Sequence, residues 1–157
     1  MTTTDSHATA AAEVRARLHA WAGALRAKDI DGVMSQCAPD VLSFDCHSRL
    51  QFRGADALRR HLQSCLPGMP GAMLFENHDL AIAAQGDLAF GHFLVRCGAT
   101  GADGKEHVSW LRATTCLRKT RGEWMVVHEH LSAPFDPQSG KALLDLEPDH
   151  SPRASAA

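Results

Sequence analysis

The sequence predicts one α+β domain in which three helices cover one face of a strongly bent, mainly antiparallel sheet, giving a cone with an enclosed cavity. Three observations predict it. Apolar residues recur at helical spacing near the start; turn signals divide the second half into four stretches of alternating apolar residues; and the element order is helix, helix, strand, strand, helix, then four strands.

Val14, Leu18, Trp21 and Leu25 follow one another at spacings of four, three and four, so residues 10–27 predict a helix that packs by that face. Asp29 has the character of an N-cap for a short second helix carrying Ile30, Val33, Met34 and Cys37. Ala38-Pro39-Asp40 stops it, because a residue before proline is pushed out of the helical region. Residues 41–46 predict a strand and 51–53 a short second one. Gly54 then breaks the chain ahead of a third helix with Leu58, Leu62 and Cys65 along one face, ended by Pro67 and the glycines after it. Gln85-Gly86-Asp87, the segment from Gly101 to Gly104, and Thr120-Arg121-Gly122 predict hairpin turns between four long strands. The domain spans residues 10–148. Small polar residues at 1–9 and 149–157 predict flexible ends, and Phe135, Leu143, Leu144 and Leu146 are the apolar anchors of a C-terminal extension.

Composition removes several function classes. The 16 Lys and Arg nearly balance 18 Asp and Glu, and no basic run tracks along a stretch that would follow a phosphate backbone, so nucleic acid is not an expected partner. No apolar run approaches the roughly 18 to 20 residues of a membrane span, and no basic-then-apolar leader is present, which gives a cytoplasmic expectation. Five cysteines at irregular spacing lack a C-x-x-C pair and are expected to be reduced thiols. There is no G-x-S-x-G elbow, no Gly-rich phosphate loop and no H-E-x-x-H motif.

The residues that carry a family resemblance are the segment ALRAKDIDGVMSQCAPDVLSFD, the segment QFRGADALRRHL and the final strand GEWMVVHEHLSAP. Over residues 12–147 the chain resembles the nuclear-transport-factor-2-like superfamily, and within it the SnoaL-like and ketosteroid isomerase-like proteins. The resemblance implies a cystatin-like cone and cofactor-independent isomerase, cyclase or hydratase/dehydratase chemistry on a hydrophobic, oxygenated substrate such as a ketone or polyketide-like ring. It puts the general-base aspartate of ketosteroid isomerase on Asp45. The same register puts that family's oxyanion-hole tyrosine on Trp21, and the chain contains no Tyr. An indole N–H donates one hydrogen bond but is a much weaker acid than a phenol.

Each site residue has a structural alternative. Asp45 lies in SFDC, where alternation groups it with Ser43; it is either a cavity-facing base or a solvated strand carboxylate. His92 shares a face with Leu88, Phe90 and Leu94; it is either a core histidine or, as the pocket arginine of the kinase association domain implies, a donor in the site. In the last strand, Met125, Val127, Glu129 and Leu131 alternate with Trp124, Val126, His128 and His130, and the resemblance implies that the first set faces inward. Glu129 would then be a second buried carboxylate, and two carboxyl groups near one another separate into an acid and a base. Trp110 and Arg112 form a stripe in the preceding strand and are candidate ligand contacts, Arg112 as a carboxylate clamp or an interface ion pair. His128 and His130 project about 7 Å apart from one face. They would share a metal only with a third ligand that no motif supplies, so no metal and no cofactor is expected. Trp110, Trp124, Val126 and the paired histidines would otherwise leave an apolar patch in water, which predicts a homodimer. Two functions follow: a small proton-transfer enzyme with Asp45 as base and His92 as donor, or a non-catalytic dimeric module that binds a small acid or apolar metabolite.

Overall fold

A computed structural model of the chain describes residues 3–69 and 71–149, with side chains described from His7 onward. The alanine-rich start forms α1 (Thr3–Arg26), which reaches well before residue 10 because its alanines favour helix and His7 Nδ1 lies 2.9 Å from the Ala84 carbonyl. The N-terminal segment expected to be flexible is therefore helical from Thr3. Residues 150–157 of the other expected flexible end lie outside the described residues. Val14, Leu18, Trp21 and Leu25 are all buried, as their spacing predicts. Asp29 caps α2 (Ile30–Met34), its Oδ1 accepting from the Gly32 amide at 2.9 Å.

The chain does not stay irregular after α2 but enters β1 (Cys37–Phe44) at once. Pro39 is tolerated there because the ladder between β1 and the last strand is interrupted between Cys37 and Leu42, where no proline N–H is needed. Then come β2 (Phe52–Arg53), α3 (Ala55–Cys65) and the four long strands β3 (Met73–Gln85), β4 (Leu88–Thr100), β5 (Glu106–Thr120) and β6 (Glu123–Ser132). The six strands form one open sheet in the order β2-β1-β6-β5-β4-β3, antiparallel throughout except where β1 lies parallel to β6. Arg121 and Gly122, with φ of 53° and 85°, form the two-residue turn that brings β6 back along β5.

The concave face of this curved sheet holds the core. Val95, Leu111, Ala113, Leu117, Trp124 and Val126 meet Val14, Leu18, Trp21, Val33 and Val41 there, with Leu58 and Leu62 of α3. Helix α1 comes close to the sheet at Gly91: a Cβ at that position would lie 3.0 Å from Leu18 Cδ1. Glu13 ties the same helix to the sheet by accepting from Lys119 Nζ at 2.7 Å and from Trp124 Nε1 at 2.8 Å.

The alternation read from β6 is broken by a bulge. Leu117 pairs with Val126 and Cys116 with His128, so Val127 has no partner on β5. The extra residue lets Trp124 and Val126 face inward along with Glu129. Trp124 and Val126, expected on the outer surface, are therefore core residues, whereas the inward placement of Glu129 stands.

Candidate functional site

A cavity of about 610 Å³ is lined by residues of α1, α3 and strands β3 to β6. Its walls are mostly apolar, with Trp21 and Leu25 of α1, Leu62 of α3, Phe75 of β3, and Leu111 and Leu131 of the last two strands among them. The polar side chains among its lining residues are Asp45, His47, His107, Ser109 and Glu129.

Strand β1 ends at Phe44, so Asp45 stands just past the strand rather than within it. Its Oδ1 accepts from the His47 amide at 2.8 Å, a local turn that holds the carboxylate, and lies 3.0 Å from His47 Nδ1. Its Oδ2 lies 3.2 Å from Nε2 of His61, whose side chain is 4% exposed against 16% for Asp45. His61 comes from the buried face of α3 and stacks on Phe52, ring centroids 4.0 Å apart and planes at 21°. It does not itself line the cavity. The arrangement is a carboxylate at the cavity wall with a fixed imidazole behind it and a second, exposed imidazole at the rim.

Glu129 lies across from Asp45 on β6, fully inside the protein. Ser43 Oγ donates to its Oε1 at 2.7 Å. Burial pushes the Glu129 carboxyl up to about 7, the nearby charge of Asp45 adds to the rise, and the Ser43 hydrogen bond opposes it. Ser43 and Glu129 are partners in the parallel β1/β6 ladder, so one ladder sets both members of the pair. Burial likewise pushes the Cys46 thiol up to about 12, with the Asp45 charge adding to it, which keeps that side chain a protonated thiol at neutral pH.

Of the residues singled out in the sequence, Asp45, Trp21 and Glu129 line the cavity. His92, Trp110 and Arg112 do not. In β4 the inward positions are Ala89, Gly91, Phe93 and Val95, and His92 is exposed on the convex face with Leu88 and Phe90. The physical reason is register: Gly91 lies beneath α1, where a Cβ would meet Leu18 Cδ1 at 3.0 Å, and Ala89, Phe93 and Val95 alternate with it on the buried face, which leaves His92 outward. Arg112 and Trp110 lie on the same convex face of β5, where Trp110 meets the His78 ring edge-on at 4.9 Å. His61 was missed. Its only signal was a polar residue at helical spacing from Leu58 on the apolar face of the QFRGADALRRHL helix.

His128 and His130 are held by neighbours on β1. His128 Nδ1 lies 2.7 Å from the Leu42 carbonyl, and Phe44 contacts both rings edge-on. Among the described residues one cluster brings ligating atoms together, Asp45, Cys46 and His47, within 4.8 Å of one another. Both oxygens of its carboxylate are already engaged by the two histidines.

The sequence profile of the SnoaL-like domain matches residues 14–136. A crystal structure of an NTF2-like protein of unknown function from Pseudomonas putida KT2440 is similar at 40% identity, covering 90% of this chain and 98% of that one with a TM-score of 0.85. The association domain of CaMKII from C. elegans shares the fold at 16% identity, covering 82% and 98% with a TM-score of 0.69. A protein of unknown function with a cystatin-like fold from Nostoc punctiforme shares it at 14% identity, covering 83% and 92% with a TM-score of 0.65. No curated protein matches the sequence.

Proposed function

The chain belongs to the SnoaL-like domain family, and from that premise we propose that its cavity binds a hydrophobic, oxygenated small molecule and that Asp45 moves a proton on it without a cofactor. The observation that carries this reading is the Asp45–His61 pair at the wall of an apolar cavity, 3.2 Å apart. A general base must be held still and kept from bulk water, and His61, buried and stacked on Phe52, does the holding. Glu129 supplies the partner acid: with its proton retained to about 7, it donates at the same end of the cavity where Asp45 accepts. His61 takes the positioning part, and the donor part expected of His92 passes to Glu129. The reaction class is isomerisation, cyclisation or dehydration of a ketone-like substrate.

The test is proton exchange. A set of cyclic ketones incubated with the protein in heavy water is followed by NMR for deuterium uptake beside the carbonyl. Uptake that disappears in Asp45→Asn supports the reading; ketones that bind with no uptake in the parent protein rule out the catalytic part. That second result favours a non-catalytic binding module, which one observation already supports: both Asp45 oxygens have histidine neighbours, His47 Nδ1 at 3.0 Å and His61 Nε2 at 3.2 Å. In either case we propose a homodimer through the convex face of the sheet, where Leu88, Phe90, Val108 and Trp110 lie.

A further inference from the structure

The polar end of the cavity is acidic and has no fixed cation. Among the described lining residues there are two carboxyl side chains, Asp45 and Glu129, two imidazoles, His47 and His107, and no Lys or Arg. The guanidinium of Arg59 on α3 is committed elsewhere, to Asp31 Oδ1 at 2.6 Å. A ligand anion brought to this end would lose its water, gain no permanent positive partner and face one carboxylate or two.

We propose that the cavity selects its ligand by charge, accepting an uncharged lipophilic molecule with one oxygenated end and turning away carboxylates and phosphate esters, with Glu129 as the residue that sets the selection. This rests on the cavity being the ligand site, and it goes further by naming what is admitted. Ionised Glu129 repels an anion, whereas its protonated form donates to an uncharged carbonyl or hydroxyl. The groups that face it are Ser43 and Cys37 from β1, Asp45 beyond the end of β1, and Thr115 across the ladder on β5. His61 reaches it only through Asp45, and none of these groups is a fixed cation. The discrimination therefore widens as pH rises through about 7, where the Glu129 proton is lost. At an effective dielectric of about 20, one like charge several ångströms away is enough for a preference of about tenfold or more.

The test uses one frame with two ends, 2-decalone and decahydronaphthalene-2-carboxylate, titrated by calorimetry at pH 5.5 and pH 8. The expected result is that decalone binds at least about tenfold more tightly at pH 8, that the gap narrows at pH 5.5, and that Glu129→Gln narrows it at pH 8. Ser43→Ala keeps the acid but removes the hydrogen bond that holds its carboxyl down, so the gap should open at a higher pH than in the parent protein, which covers the case of a poorly folded Gln variant. Equal binding of the two molecules at pH 8, or a gap unchanged by Glu129→Gln in a folded protein, overturns the selection while leaving the cavity a ligand site. If neither molecule binds, the ligand-site reading falls and the selection falls with it.

Discussion

Two side chains at the cavity give opposite expectations when altered. Asp45 Oδ2 is the acceptor 3.2 Å from the buried Nε2 of His61, so Asp45→Ala removes that neighbour and should lower stability by about 1 to 3 kcal/mol, measured by denaturant unfolding near neutral pH. His61→Phe keeps the stack on Phe52 and should fold, yet release Asp45, so that ketone binding survives while proton exchange is lost. Glu129 behaves differently because its folded carboxyl is raised, from an ordinary 4.5 to about 7. The folded state then holds the proton more tightly than the unfolded chain. The associated stability is fully present below about pH 4.5 and is lost as pH rises through about 7, a swing of at most about 3 kcal/mol. Glu129→Gln should flatten that profile, melting above the parent protein at pH 8 while matching it near pH 5. A parent profile that rises across the same interval would show a carboxylate already ionised in the fold.

At the level of elements, the close contact of α1 with β4 gives a direct expectation. Gly91→Val places a branched side chain against Leu18 and Leu80, whose tips can shift only in part, and should destabilise by about 1 to 3 kcal/mol in thermal or denaturant melts. The helices and the three hairpins were legible because their signals are local: Val14, Leu18, Trp21 and Leu25 show the period of a buried helix face, and Arg121-Gly122 shows a turn. What was not legible depended on neighbours far along the chain. The bulge at Val127 is visible only against β5, so alternation alone put Trp124 and Val126 on the wrong side. His92 was misplaced because Gly91, which packs under α1, sets the inward register of β4 and turns its neighbour His92 outward. The resemblance singled out Asp45, which does line the cavity, but not His61 behind it, since nothing in the local sequence tells a buried histidine in a helix which carboxylate it will meet.

For the whole molecule, no helix among the described residues is long and apolar enough to cross a membrane. The unpartnered feature is instead the convex sheet face. With Trp124 and Val126 in the core, the apolar part of that face is carried by Leu88, Phe90, Val108 and Trp110, ringed by His92, Arg112 and Thr114. Light scattering at micromolar concentration should give the mass of two chains, and Phe90→Glu should shift it to one; a parent protein that scatters as a single chain removes the dimer. The parallel pairing of β1 with β6 has a further consequence in time. Ser43 and Glu129 are 86 positions apart in sequence, so the ribosome releases Asp45, His61 and most of the cavity wall before it makes the strand that completes the acid pair. Until then the flank of β1 that β6 will cover is an open edge, ready to pair with any passing strand. A nascent chain stalled in the Arg121-Gly122 turn would have its helices, but neither a closed edge nor Glu129, and that unpaired edge is the kind of surface on which strands from other chains add.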